Sequence, residues 1–179
     1  MQILATDLPE VLLLEPRVFG DQRGFFFESW NRREFARRGL EIEFVQDNHS
    51  LSARGTLRGL HYQTEHVQGK LVRVVAGEVF DVAVDVRVGS PTFGQWVGLE
   101  LSAANLRQLW IPEGFAHGFL ALEDRTHFLY KTTDVYARDC ERSLRWDDPA
   151  FGVVWPLERL VRPPAVQPEA RHHLPRWAW

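Results

Sequence analysis

The sequence contains very little cysteine: Cys140 is the only one among 179 residues. A single cysteine cannot form an internal disulfide, so we expect a reducing compartment and a cytoplasmic protein. Arg138 and Arg142 flank Cys140 and favour a thiolate, but a lone cysteine in a polar segment is usually incidental rather than catalytic. Apolar runs of about 18 residues and a cationic, apolar N-terminus are also lacking, so we expect no membrane span and no signal peptide.

Strong net charge and the common nucleotide-binding motifs are absent as well. The formal net charge is −3, which does not indicate a nucleic-acid-binding surface. The chain has no Gly-x-x-x-x-Gly-Lys loop, no strand-linked Gly-x-Gly-x-x-Gly and no Gly-x-Ser-x-Gly elbow. The sequence therefore gives no support to nucleoside-triphosphate hydrolysis, dinucleotide redox chemistry or the chemistry of a nucleophile elbow.

Length and composition are those of one globular domain. With 179 residues, 45% of them hydrophobic and 25% charged, the chain is below the size at which single cores usually divide. We expect residues 1–179 to form this domain, with an irregular C-terminal tail from about residue 162. The tail contains proline, histidine and tryptophan, ends in Trp177-Ala178-Trp179, and suits packing against another subunit.

Two-residue alternation is the dominant pattern. Phe80, Val82, Val84 and Val86 share one face of a segment whose other face carries Asp81, Ala83, Asp85 and Arg87, which predicts a half-buried strand. Glycine and proline turns separate many such runs, so we predict an all-β antiparallel sandwich or barrel. The other predicted strands are 25–30, 43–50, 70–75, 96–101, 106–111, 119–122 and 127–132.

One helix is also predicted. Asn31 is the candidate N-cap, Glu34 follows three residues later as in a capping box, and Gly39 is a suitable terminator.

Polar residues follow the same alternation. Gln46, Asn48 and Ser50 project to one side of a predicted strand, and Asp47 and His49 project to the other. If one sheet face lines a cavity, the first set converges inside it. The alternative is a strand with an outward polar face, and the pattern alone does not choose between them.

His61, Lys70 and Tyr130 lie on segments with β character and form a chemically coherent set. An imidazole base, an ammonium ion and a phenol suit proton removal beside a ketone, stabilisation of the enolate, and return of the proton from another side. This chemistry needs no metal and no organic cofactor. The alternatives are a structural histidine and a surface lysine, since either residue alone is common in such a role.

Pro112-Glu113-Gly114-Phe115-Ala116-His117 is half of the metal-binding motif of cupin barrels, which favours a second class of function, a metal-dependent enzyme. A full ligand set cannot be assembled from the sequence, so we expect no metal and interpret His117 as a polar group of the cavity. Arg23 and Arg58 are candidates for binding diphosphate oxygens, because a guanidinium group matches phosphate geometry. A third class of function is a non-catalytic protein that binds the diphosphate-containing ligand without changing it.

Long strings of the chain closely resemble the dTDP-4-dehydrorhamnose 3,5-epimerase family over roughly residues 8–157. The strings are Val18–Asp21, Arg23–Ser29, Phe44–Ser50, Leu57–Gln63, Gln68–Arg73, Gly77–Asp85, Gly89–Gly94, Arg107–Pro112, Gly114–Phe119, Phe128–Lys131 and Trp146–Pro149. So many strings in the same order are far more specific than any one of them.

The resemblance implies a cupin-like antiparallel β-barrel, or jelly roll, with one or two short helices, usually a homodimer without a metal or cofactor. It implies a dTDP-linked 4-keto-6-deoxy sugar as substrate and epimerisation at C3 and C5, with His61 as base, Lys70 beside the ketone and enolate, and Tyr130 as the opposite proton donor. It also implies that Tyr136 stacks on thymine with Phe26 beside it. Further substrate contacts implied by the resemblance are Arg23, Glu28, Gln46, Asp47, Asn48, Arg58, His117 and Glu141.

The chain departs from the family pattern at one point. The family carries a Lys-Asp pair about a dozen residues after a Trp-Pro pair, and that aspartate orients the basic histidine. Here Trp155-Pro156 is followed by Val166-Gln167-Pro168-Glu169-Ala170, in which Glu169 is a candidate substitute. Loss of the orienting partner could change which carbon reacts, so a mono-epimerase for a related dTDP-4-keto sugar is the alternative function.

Overall fold

A computed structural model describes residues 1–166 of the chain, and these residues form short strands, one α-helix and two 3₁₀-helices. The strands are β1 (Gln2–Ala5), β2 (Leu12–Glu15), β3 (Phe19–Asp21), β4 (Gly24–Phe26), β5 (Gln46–Ser52), β6 (Thr56–Gln63), β7 (Lys70–Ala76), β8 (Glu78–Asp85), β9 (Trp96–Ser102), β10 (Gln108–Ile111), β11 (Phe115–Ala121), β12 (Thr126–Thr132), β13 (Glu141–Ser143) and β14 (Ala165–Val166). The helix α1 spans Arg32–Arg37, and the 3₁₀-helices span Arg138–Cys140 and Leu157–Arg159.

Two main sheets form the body of the protein. The first has the order β1-β2-β10-β7-β12-β5, and the second has the order β13-β6-β11-β8-β9. The pairings along both orders are antiparallel, and β14 adds a short parallel pairing to β6. β3 and β4 form a separate hairpin. The prediction of an all-β, cupin-like jelly roll with short helices is confirmed.

Apolar side chains from both sheets fill the space between them. Val72, Leu109 and Phe128 come from the first sheet, Val79 and Phe119 come from the second, and all five are buried in one cluster. The two inner faces therefore bury their apolar side chains against each other, as alternation predicts for paired sheets.

The prediction that β8 is half-buried is wrong, because both of its faces are buried. Val82 and Val84 point away from the first sheet and pack against Phe151 and Trp155 of the C-terminal segment. Asp81 and Asp85 are fully buried. The alternation of apolar and acidic residues predicted that the acidic face would be exposed to solvent. Both carboxylates are instead buried, where they have hydrogen-bond partners.

Strand boundaries differ from the prediction in several places. The run predicted as a strand at residues 25–30 keeps its strand geometry only through Phe26, because the chain then turns toward α1. β1, β2 and β13 lacked a clear alternation and were not predicted as strands. Helix α1 begins as predicted: Oδ1 of Asn31 accepts hydrogen bonds from the backbone N–H groups of Arg33 and Glu34. Gly39 follows the helix with φ +83°, a conformation that favours glycine.

No helix within residues 1–166 is long and apolar enough to cross a membrane. The predicted irregular tail begins at about residue 162, and its described part ends in the short pairing of β14 with β6. The remaining predictions for the tail, including the role of Glu169 and the packing of Trp177 and Trp179, fall on residues 167–179, which lie outside the described part.

The Asp85 carboxylate organises the turn between β8 and β9. It accepts hydrogen bonds from Arg87 at 2.8 Å and from the hydroxyls of Ser90 and Thr92 at 2.6 Å each. Burial by itself raises the pKa of Asp85, but these hydrogen bonds outweigh burial and hold the pKa well below its usual range. Arg87 also pairs with the exposed Glu10 at 2.8 Å.

We expect Asp85→Ala to lower the free energy of unfolding by about 3–5 kcal/mol, because it removes a buried acceptor that serves several partly buried donors of this turn. Glu10→Gln is the matched control, and it should cost less than about 1 kcal/mol, since its carboxylate is solvent-exposed. Urea denaturation of both variants measures the difference. Equal losses would show that the buried carboxylate does not stabilise the turn.

Candidate active site

A cavity of about 330 Å³ lies between the two sheets. Its wall combines two imidazoles, an ammonium, a guanidinium, two phenols and a carboxylate with two phenylalanine rings. The lining residues are Ser50, Arg58, His61, Gln68, Lys70, His117, Gly118, Phe119, Phe128, Tyr130, Tyr136 and Glu141. The cavity thus brings together residues from β5, β6, β7, β11 and β12 that are far apart in sequence.

The pairing of β6 with β11 sets two imidazoles side by side. His61 is the direct cross-strand partner of His117, and the register shifts between His117 and Phe119. A Cβ atom on Gly59 would overlap the backbone of Gly118, so the two strands approach more closely than side chains would allow. The glycines therefore place both histidines on the cavity wall.

His61 is held from the neighbouring strand β13. Its Nδ1 lies 2.9 Å from Oγ of Ser143, its cross-strand partner, and 3.7 Å from Oε1 of Glu141. The side chain of His61 is 22% exposed, so it is accessible from the cavity while its ring orientation is restrained. Ser143 was not among the predicted site residues, because its contact with His61 depends on a pairing between segments about 80 residues apart.

His117 is more deeply buried than His61. Its Nε2 lies 2.9 Å and 3.1 Å from the two carboxylate oxygens of Asp81, which is inaccessible to solvent. The imidazole also stacks on Phe128, with ring centroids 6.0 Å apart. This arrangement fixes the imidazole ring. His117, the histidine of the half-matching cupin metal motif, is thus bound to a carboxylate inside the protein. Within residues 1–166, no group of three or more His, Cys, Asp or Glu side chains has the arrangement of a metal site.

Burial has opposite effects on the protonation of Lys70 and Tyr130. Lys70 is 8% exposed, and burial lowers the pKa of its ammonium to about 8, while the charges of Glu141 and Asp81 oppose this shift. Burial raises the pKa of the Tyr130 phenol, and the Glu141 charge adds to this while Arg58 opposes it. At neutral pH the cavity therefore contains a cationic lysine and an un-ionised phenol.

The mouth of the cavity is formed by Tyr136 and its neighbours. The Tyr136 hydroxyl donates to Oε2 of Glu141 at 2.8 Å, and its backbone N–H donates to Oε1 of Gln46 at 2.9 Å. Gln46 in turn donates to Oδ1 of Asn48 at 2.8 Å. Tyr136 is 50% exposed, so part of this aromatic residue is accessible to a planar ligand group.

Two further cavity residues, Ser50 and Gln68, were not named as site residues from the sequence. Ser50 shares the face of Gln46 and Asn48, as the alternation predicts, and its hydroxyl lacks a hydrogen-bond partner within the described part of the chain. Gln68 donates to the backbone carbonyl of Asp134 at 2.9 Å. The alternation was the available signal for Ser50, whereas nothing local marked Gln68.

Six predicted contacts do not line this cavity within one chain: Gln46 and Asn48, which lie beside its mouth, and Arg23, Phe26, Glu28 and Asp47. Asp47 points to the other face of β5 and pairs with Lys131 at 2.7 Å, as expected from the two-residue alternation. Arg23 pairs with Asp21 at the exposed end of the β3–β4 hairpin, and Phe26 on the same hairpin is 66% exposed. Glu28 accepts a hydrogen bond from Asn31 at 3.0 Å, near the start of α1.

Comparisons with known proteins identify the family of the chain. Residues 5–171 match the profile of the family described as dTDP-4-dehydrorhamnose 3,5-epimerase. A protein of that name from Pseudomonas aeruginosa is 64% identical over 152 residues, which cover 84% of this chain and 84% of the relative.

Solved structures match the fold over nearly the whole chain. A dTDP-6-deoxy-D-glucose-3,5-epimerase from Legionella pneumophila, in complex with dTDP-4-keto-L-rhamnose, has a TM-score of 0.90 and 50% identity, covering 94% of this chain and 89% of its own. A 3′-monoepimerase from Streptomyces bikiniensis, in complex with dTDP-quinovose, has a TM-score of 0.84 and 31% identity, covering 93% and 83%. The chain belongs to the dTDP-4-dehydrorhamnose 3,5-epimerase family.

Proposed function

We propose that this protein is a dTDP-4-dehydrorhamnose 3,5-epimerase, which inverts C3 and C5 of dTDP-4-keto-6-deoxyglucose without a cofactor. The observation that carries the proposal is the single cavity in which His61, Lys70 and Tyr130 converge. A ketone at C4 acidifies both neighbouring carbons, so one base and one acid can serve both inversions. The relatives named for this activity support the same isomerase reaction.

His61 is the proposed base. With Nδ1 held by Ser143, the imidazole would remove the C–H proton through Nε2. The buried ammonium of Lys70 would lie beside the C4 oxygen and stabilise the enolate by charge, which is stronger away from bulk water. Tyr130, kept un-ionised by burial, would return a proton from the other side of the sugar ring. Lys70 and Tyr130 are thus in the protonation states that their steps require.

The same cavity suits the rest of the nucleotide sugar. Arg58 would bind diphosphate oxygens, and its Nε already donates to Ser52 at 3.0 Å, which restrains the guanidinium group. Tyr136 would stack on thymine at the mouth, where its ring is half exposed. Gln46, Asn48, His117 and Glu141 are the remaining proposed substrate contacts on this side. The single cysteine supports a cytoplasmic location.

Arg23, Phe26 and Glu28 suggest that the working form is a homodimer. The β3–β4 hairpin is separate from both main sheets and exposes Phe19, Phe25 and Phe26 by 52%, 63% and 66%. Large exposed aromatic rings in one patch are typical of an interaction surface. We propose that this hairpin reaches the cavity of a second copy, where Arg23 and Phe26 would contact the nucleotide.

A mono-epimerase for a related dTDP-4-keto sugar is the second candidate. The Streptomyces bikiniensis structure shares the fold and is named for reaction at one carbon, so the fold alone does not choose between the two activities. The departure from the family's Lys-Asp pair also motivates this candidate, since the partner of the base affects which proton is removed.

Proton exchange distinguishes the two candidates. We expect the protein, incubated with dTDP-4-keto-6-deoxyglucose in heavy water, to incorporate deuterium at both C3 and C5, as followed by proton NMR. His61→Ala should slow both exchanges by about 10²–10⁴-fold, because it removes the base. Exchange at one carbon alone would establish a mono-epimerase, and no exchange at all would contradict both proposals.

The pH dependence of kcat/KM tests the role of Lys70. Because the ammonium is the active form and its pKa is lowered to about 8, activity should fall as the pH rises through about 8. The Tyr130 pKa is raised above its ordinary value, so the phenol should lose its proton only at a higher pH than Lys70 does. In Lys70→Arg the cation persists to higher pH. The fall of kcat/KM on the basic side of the pH profile, its basic limb, should therefore shift to higher pH by at least one unit. A limb that stays near pH 8 in this variant would exclude Lys70 as its source.

Mixing two inactive variants tests the shared site. Arg23→Ala lacks the proposed partner contact and His61→Ala lacks the base, so each homodimer should have low activity. In a heterodimer, one cavity combines an intact His61 with an intact Arg23 from the other chain. Co-refolded equal amounts should therefore recover about a quarter of the wild-type activity. Activity that stays at the level of the separate variants would show that Arg23 does not act across an interface.

A further inference from the structure

Two histidines outside the cavity form a close pair on the outer face of the first sheet. Nε2 of His49 on β5 and Nδ1 of His127 on β12 share a hydrogen bond of 2.9 Å, with ring centroids 5.1 Å apart and an interplanar angle of 52°. Their cross-strand partners are Leu129 and Leu51, so the histidines are diagonal neighbours on an antiparallel pair. The cavity residues Ser50 and Phe128 project from the same strands to the opposite face. No step of the proposed reaction uses this pair.

The separation of the two nitrogens matches the coordination edge of a tetragonal metal site. Metal–imidazole bonds of about 2.0–2.1 Å that meet at a right angle place the two nitrogens about 2.9 Å apart, whereas a tetrahedral angle requires about 3.3–3.4 Å. Tetragonal coordination by nitrogen and oxygen is typical of Cu²⁺ and Ni²⁺, whereas Zn²⁺ prefers a tetrahedron. We propose that His49 and His127 form a two-histidine binding site for Cu²⁺, and more weakly for Ni²⁺, with water as the remaining ligands.

The local structure favours chelation in three respects. The strands β5 and β12 are paired along their whole overlap, so the backbone already fixes the spacing of the two side chains. Both rings are at the surface, where they can turn so that the two nitrogens, now joined by a hydrogen bond, direct lone pairs to a common ion. Water can reach the site and complete the coordination.

Neighbouring charges limit the affinity. On the same face, the Asp47 carboxylate is paired with Lys131, and these opposite charges largely cancel. Arg73 on β7 lies across from Leu129 and adds positive charge to the sheet face. The ion would therefore be held mainly by the two neutral imidazoles, with little help from neighbouring charges.

A bound ion would stabilise the sheet. It would connect β5 to β12, the two strands whose inner faces bring Ser50 and Tyr130 to the cavity. Because the unfolded chain does not hold the two imidazoles together, binding should raise the thermal midpoint by roughly 5–10 °C at a free Cu²⁺ concentration of about 100 times Kd.

The test is a Cu²⁺ titration of the full, untagged chain at pH 7.5 after removal of metals by a chelator. Calorimetry should give one ion per chain, and electron paramagnetic resonance should give a tetragonal signal with hyperfine coupling to nitrogen. His127→Gln and, separately, His49→Gln should each weaken binding at least tenfold and abolish the thermal shift. Circular dichroism without metal establishes that each variant is folded, and either folded variant suffices.

Two control variants test whether other histidines bind the Cu²⁺ ion. His66→Gln removes an exposed histidine that pairs with Asp134, and it should leave Cu²⁺ binding unchanged. His172→Gln combined with His173→Gln removes the adjacent pair in the tail and should also leave one ion per chain. The proposal is overturned if no Cu²⁺ binds, if binding survives in His127→Gln, if it disappears with the tail pair, or if Zn²⁺ binds this site more tightly than Cu²⁺.

Discussion

The close approach of β6 and β11 is the constraint on which the candidate active site depends. Gly59 and Gly118 lie where these strands meet, and a Cβ atom on either glycine would collide with the opposite backbone. The register shift beside Gly118 then sets His61 directly opposite His117. The outer neighbours of the two strands hold the imidazoles in turn, with Ser143 on β13 against His61 and Asp81 on β8 against His117.

Burial controls the protonation of Lys70 and Tyr130. Lys70 is buried and Tyr130 is partly buried between the sheets, which weakens the preference of lysine for its charged form and strengthens that of tyrosine for its neutral form. Glu141 and Asp81 keep Lys70 from losing its proton altogether, since their charges oppose the effect of burial. An un-ionised phenol and an ammonium can therefore share one cavity with the imidazole of His61 at neutral pH. The proposed proton transfers need only this arrangement of side chains.

Much of this site could be predicted from the sequence, because alternation decides which side chains share a sheet face. It grouped Gln46, Asn48 and Ser50 correctly, and it set Asp47 on the opposite face. The resemblance to the family identified His61, Lys70 and Tyr130, which the structure brings together in one cavity. These are properties of single strands and of local strings, so one sequence contains them.

What escaped prediction depends on contacts between distant segments. Ser143 reaches His61 only through the pairing of β13 with β6, and no local pattern encodes that pairing. The outer face of β8 is buried because residues of the C-terminal segment, including Phe151 and Trp155, cover it. Arg23, Phe26 and Glu28 lie away from the cavity of their own chain, and their proposed contacts need a second copy.

The central claim is that a base and an acid act from opposite sides of the sugar ring. Its most direct test uses Tyr130→Phe, which removes the proposed proton donor and keeps the aromatic ring. In heavy water His61 should still remove and return protons on its own side of the sugar. We therefore predict that deuterium enters C3 and C5 with retention of configuration while inversion falls by about 10²-fold or more. Inversion at the wild-type rate in Tyr130→Phe would contradict the proposal that base and acid act from opposite sides of one cavity.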